Sequence, residues 1–198
     1  MLIEESQVLA AVLPVEDFKA HLRLGRGVAG DTVQDAVLES FLRAAISAVE
    51  ARTGKSLITK GFTWEIPCWT DDTGEVLPVG PAVAITEVVL IDGAGAESVV
   101  EPMRYRLERD LSFPVLRPRG YALPRRVPDG TIRVRFTSGF GETWESLPPD
   151  MAQAVMLLAA HYYEFRNETT LSEGCMPFGV SSLIERYRTF RIWSGGVA

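Results

Sequence analysis

The spacing of the hydrophobic residues changes twice along this 198-residue chain, and those two changes constrain the fold more than any other feature. Up to Thr53 apolar residues recur three and four apart. From Leu57 they alternate, and after Pro149 the helical spacing returns. An alternating pattern has no single face on a helix, and a helical pattern has none on a strand, so the order must be helix, strands, helix. The expectation is an α+β fold: a mainly helical bundle of about four helices, with a small irregular antiparallel β insertion between the second and third long helices. The length suits a single domain over 1–198 with enough residues to bury a core.

Local signals set the expected boundaries. Pro14 opens "PVEDFKAHLRL", with acids in its first turn and Lys19, His21 and Arg23 toward its end, which predicts a helix over 14–24. The following "GRGVAG" lacks the GK[ST] ending of a phosphate loop and reads as a connector. Asp31 with Gln34 forms a capping-box pattern for a helix over 31–53, which Gly54 stops. On that helix Val33, Val37, Phe41, Ala44 and Ala48 share one face, extended by Leu38, Ala45 and Val49. Asp35, Glu39, Arg43, Ser47 and Glu50 take the other.

"LITKGFTWEIP", "ITEVVLIDGAGAESVV", "YRLERD", "PVLRP" and "GTIRVRFTSG" supply strands within a β insertion over 57–138. Pro78, Pro81, Pro114, Pro118, Pro124 and Pro128 are expected to keep them short. Pro148, Pro149 and Asp150 start a helix over 149–166, and a last short helix covers 180–187 before a tail over 188–198.

A formal net charge of −6 argues against a protein that grips nucleic acid through massed phosphate contacts. Cys68 and Cys175 stand far apart without CxxC or His-rich company, and are read as reduced thiols in a cytosolic protein. No apolar run reaches the ~20 residues a bilayer span needs, and the acidic start does not resemble a signal peptide.

The third helix ends on His161, Tyr162, Tyr163 and Glu164, groups that a proton-transfer site could use. Yet Met151, Val155, Leu158, Tyr162 and Phe165 form one apolar stripe, and Ala152, Met156, Ala159 and Tyr163 a second. A helix apolar on two faces is sandwiched, either within a larger core or between subunits, so Met156 and Tyr163 are candidates for packing against another element or a neighbouring subunit. Neither GxSxG, HExxH nor a P-loop is present, and no catalytic residue, cofactor or metal is assigned. The competing reading is a small cytosolic enzyme, a hydrolase or transferase, built on His161, Glu164 and a β-loop residue. Arginines concentrate in "RPRGYALPRR" and again at Arg186, Arg188 and Arg191. The last of these share the tail with Tyr187, Phe190, Ile192 and Trp193, residue types that favour docking into another protein.

The signals "TGKSLIT", "LPVGPAVAITEV", "RVRFTSGFG", "PPDMAQAVMLLAAHYYEFR" and "PFGVSSLIERYR", in that order, give the chain a resemblance to the head-tail connector, or adaptor, proteins of long-tailed phages, prophages and gene transfer agents. The resemblance covers residues 14–188. It implies a structural protein of the particle neck, assembled in the bacterial host cytoplasm and without catalysis. It also implies a homo-oligomeric assembly, a twelve-fold ring below the portal protein and above a stopper or tail-side neck protein. Double-stranded DNA would pass through the ring without sequence-specific binding, and no membrane is involved. Under the same resemblance Arg186, Tyr187, Arg188, Phe190, Arg191, Ile192 and Trp193 are the candidate portal-docking residues. A neighbouring neck or tail-completion protein is the alternative within the same particle.

Overall fold

The computed structural model describes residues 1–24, 32–166 and 176–188. Among them four α-helices appear, α1 (Val15–His21), α2 (Thr32–Thr53), α3 (Pro149–Glu164) and α4 (Phe178–Ile184). Eight strands accompany them: β1 (Leu2–Glu4), β2 (Lys60–Ile66), β3 (Glu75–Val76), β4 (Ala82–Ile91), β5 (Glu97–Val99), β6 (Tyr105–Glu108), β7 (Val115–Pro118) and β8 (Thr131–Ser138). They build two antiparallel sheets, one ordered β1-β2-β8-β4-β5 and the other β3-β7-β6.

The expected mainly helical bundle with a small β insertion is therefore wrong. The fold is α+β, with helices and sheets each owning a core. The prolines explain the error. Pro78, Pro81, Pro114, Pro124 and Pro128 all fall in connections and Pro118 closes β7, so β2, β4 and β8 contain none. With no residue lacking an N–H, β4 runs for 10 residues and β8 for 8. β1 had no expectation attached. Three residues are too few for alternation to register, yet Leu2, Ile3 and Glu4 pair with Trp64, Thr63 and Phe62 and extend the larger sheet.

The helical core joins Phe18 of α1, Leu38, Leu42, Ala45 and Val49 of α2, Met151, Val155 and Leu158 of α3, and Val180 and Ile184 of α4. The α2 stripe is turned by about one position from the expected face. Val37 is 43% exposed and Ala44 is exposed, whereas Leu42 is fully buried. The apolar arc of α2 is wide, and its own pattern does not say which half α1 and α3 cover.

The second core lies between the sheets. Phe62, Val88, Ile132, Val134 and Phe136 come from the larger sheet, and Leu77, Tyr105 and Leu116 line the smaller one or its approach. Phe62 and Phe136 stack with centroids 5.4 Å apart. Because successive strand residues point to opposite faces, the sheets form a sandwich whose two outer faces carry the intervening residues.

Candidate interaction surfaces

The end of α3 is packed, as its apolar stripes suggest. His161 is half-buried against the Phe165 ring, 4.6 Å between centroids, and Glu164 is exposed. Tyr162 is half-buried against the helical core, and burial pushes its phenol above the ordinary range. Tyr163 meets Phe41 of α2 edge to face at 6.0 Å, and the Arg166 guanidinium lies 4.4 Å over its ring. Met156 is also half-buried at the rim of this core. Phe41 and Tyr163 thus join the less covered side of α2 to the Met156 side of α3.

The C-terminal segment divides at Arg188. Tyr187 is 5% exposed, its ring edge-on to Phe140 at 6.2 Å. Its hydroxyl donates to Asp150 Oδ1 at 2.8 Å, and burial raises its pKa. Arg186 pairs with Asp150 Oδ2 at 2.8 Å, donates to the Tyr187 hydroxyl, and lies 4.6 Å over the Tyr187 ring. Arg188 pairs with Glu185 at 3.0 Å. Tyr187 is therefore an anchor of its own fold, while 68% of the Arg186 side chain stays exposed. Phe190, Arg191, Ile192 and Trp193 lie outside the described residues.

A charged seam that the sequence reading missed ties helices to sheet. Lys60, 5% exposed, donates to Glu50 Oε2 at 2.8 Å and Glu4 Oε2 at 3.0 Å. Glu50 Oε1 accepts the Leu57 amide at 2.8 Å, and burial raises the Glu50 pKa despite the nearby ammonium. Two shallow clefts of about 250 and 240 Å³ share Glu4, Ser47 and Glu50, and neither is lined by His161 or Glu164.

Both outer faces of the sandwich are charged. On the smaller sheet Arg106 stands opposite Arg117. On the larger sheet Arg133 bridges Glu65 at 2.8 Å and Glu97 at 2.6 Å, and Arg135 pairs with Glu87 at 3.0 Å and Glu5 at 3.7 Å. The sequence reading noticed arginines at 117–126 but not their partners on β6, because cross-strand neighbours depend on register. Among the described residues no group of three His, Cys, Asp or Glu side chains is placed to hold a metal, and no helix is long and apolar enough to cross a membrane.

Comparison with known proteins agrees with this picture of a chain built around surfaces. The phage gp6-like head-tail connector family matches residues 13–101. No curated protein matches the sequence. Among solved structures, a chain from the neck of an empty gene transfer agent (GTA) particle computed with C6 symmetry is 45% identical, with a TM-score of 0.88 over 98% of each chain. A chain from the virion of a native GTA particle is 44% identical, with a TM-score of 0.86 over 98% of each. A third, from the neck of a native GTA particle computed with C12 symmetry, is 42% identical, with a TM-score of 0.84 and the same coverage. Similarity at this level over essentially the whole of each chain makes this protein a member of the phage head-tail connector family.

Proposed function

We propose that this protein is a structural subunit of the neck of a tailed phage-like or GTA particle, where copies of it form a ring that joins the head to the tail. The observation that carries this reading is the full-length 45% identity and TM-score of 0.88 to a GTA neck chain. A C12 symmetry for the neck of a related particle supports a ring of twelve copies. Work in such a ring needs two different complementary patches on each copy, since a head-to-tail contact pairs unlike surfaces. The half-exposed strip around Met156 and Tyr163 supplies apolar area for one such contact.

In this reading the portal protein receives the C-terminal segment. Arg186 and Arg188 are held at the surface beside a buried Tyr187, and they would present the following residues, including Phe190, Arg191, Ile192 and Trp193, to the partner. A tail-side neck protein would contact the opposite end, and duplex DNA would pass along the axis. The chain performs no catalysis in this role.

Co-sedimentation with the portal ring from the same source tests this. Full-length chain is expected to bind, and a chain ending at Arg188 is expected to stay folded and lose binding. Failure of both to bind would overturn the portal assignment, and equal binding by both would move the contact away from the tail.

A further inference from the structure

The charge of this chain is segregated. Residues 102–130 hold seven arginines, no lysine and three carboxylates, within a chain of net charge −6. The fold gathers four of those arginines on one face. Arg106 is directly opposite Arg117 in the β6–β7 ladder, and Arg119 donates its amide to the Arg104 carbonyl two pairs further on. Tyr105, Leu107 and Leu116 take the inner face of this sheet, so alternation sends Arg106 and Arg117 outward, and Arg104 and Arg119, just beyond the strand ends, are exposed. Like charges directly opposite on paired strands repel.

One carboxylate, Glu108, serves both Arg117 at 3.0 Å and Arg106 at 3.8 Å. Carbonyls do the remaining holding: Arg117 donates to Thr73 and Arg119 to Tyr105. Arg106 and Arg117 thus share one carboxylate while Arg119 is held by a carbonyl, so this face keeps a net positive charge.

The outer face of the larger sheet has the opposite imbalance. Glu5, Glu65, Glu87 and Glu97 share Arg133 and Arg135. The two faces lie on opposite sides of the sandwich, so one chain cannot bring them together. A two-fold dimer through either face would set like charge on like. A head-to-tail arrangement satisfies both faces at once and repeats from copy to copy.

We propose that the arginine face of the smaller sheet docks on the carboxylate face of the larger sheet in a second copy of this chain. This rests on the ring reading above and names the contact that repeats around it. Arginine suits the role because its planar fork meets a carboxylate through two parallel hydrogen bonds. Exposed Ile3 and Val99 on one face and Val76 on the other add apolar area, which matters because exposed ion pairs alone contribute little.

The test uses assembled particles carrying the full chain in a Cys68→Ser, Cys175→Ser background. Arg106→Cys and Glu87→Cys are introduced singly and together, then treated with a bismaleimide long enough to span packed sheets, about 10 Å apart. A ladder of covalent multimers from the double variant, with none from either single variant, is expected. Dimers from Arg106→Cys alone, or no ladder while electron microscopy shows the ring intact, would overturn the contact and leave the ring reading standing. Absence of this chain from any ring in wild-type particles would overturn both.

A charge swap gives an independent check. Arg106→Glu with Arg117→Glu, and separately Glu87→Arg with Glu97→Arg, should each cut ringed particles by about tenfold, and co-expression of the two chains should restore them. Wild-type ring numbers in either variant would overturn the proposal, as would a neck map in which the arginine face lines the channel against DNA phosphate.

Discussion

Gly139, in the "SGFG" segment, sits at φ +152, and a Cβ there would come within 2.4 Å of the Thr59 backbone. Its amide donates to Pro81 while Phe140 donates to Leu57, so this residue carries β8 across the junction between sheet and helices. Gly139→Ala is expected to cost about 1–3 kcal/mol, read as a lower denaturant midpoint. At the seam, Lys60→Met would leave Glu50 buried without its cation and is expected to cost about 3–5 kcal/mol.

Glu50 itself gives a pH signature. Its folded-state pKa is raised by burial, so between the ordinary carboxylate value and the raised one the folded chain binds more protons than the unfolded chain. Stability relative to Glu50→Gln should therefore fall as pH rises from the ordinary carboxylate range through the raised value, then level off. Equal pH profiles for the two chains would contradict this. From sequence Glu50 belongs only to the polar face it shares with Glu39 and Arg43. A helical wheel carries no record of Glu4 and Lys60 arriving from β1 and β2. Gly54, in contrast, was legible: it follows α2 with φ +67, the left-handed conformation that glycine takes at a helix end.

At the scale of elements, the last turn acts as a latch. Tyr187→Phe removes the hydrogen bond to Asp150 and is expected to cost about 1 kcal/mol. Ending the chain at Glu185 removes the whole side chain from beside Phe140 and should lower the melting temperature by several times the shift of Tyr187→Phe. Ending it at Arg188 should leave the melt unchanged, and thermal unfolding of the three chains separates latch from docking tail. His161→Ala is expected to affect folding or assembly at most, because the ring packs on Phe165 within a half-buried helix end.

Which segments carried helical or alternating spacing was visible without coordinates. Leu38, Ala45 and Val49 belonged to the apolar arc of α2, and "LITKGFTWEIP" to a strand. How strands paired was not visible. The ten residues of β4 and the register that sets Arg106 against Arg117 depend on partners up to dozens of residues away. The same limit hid the second core, because Leu77 and Leu116 join Phe136 in one cluster through sheet packing rather than through spacing.

At the scale of the whole molecule, the proposed ring would use the charged faces and the half-exposed α2–α3 strip for contacts between copies, and the C-terminal segment for the portal. Ring contacts built partly from exposed charge should weaken with salt, since screening acts over about 10 Å at ~0.1 M. Rings extracted from particles should therefore release subunits more readily at high salt. The most direct measurement is electron microscopy of particles produced with and without this chain in the source cell. The account predicts that its loss leaves heads without joined tails and without the ring in the neck, and that supplying the chain restores both. Complete tailed particles with an intact neck in its absence would contradict the account.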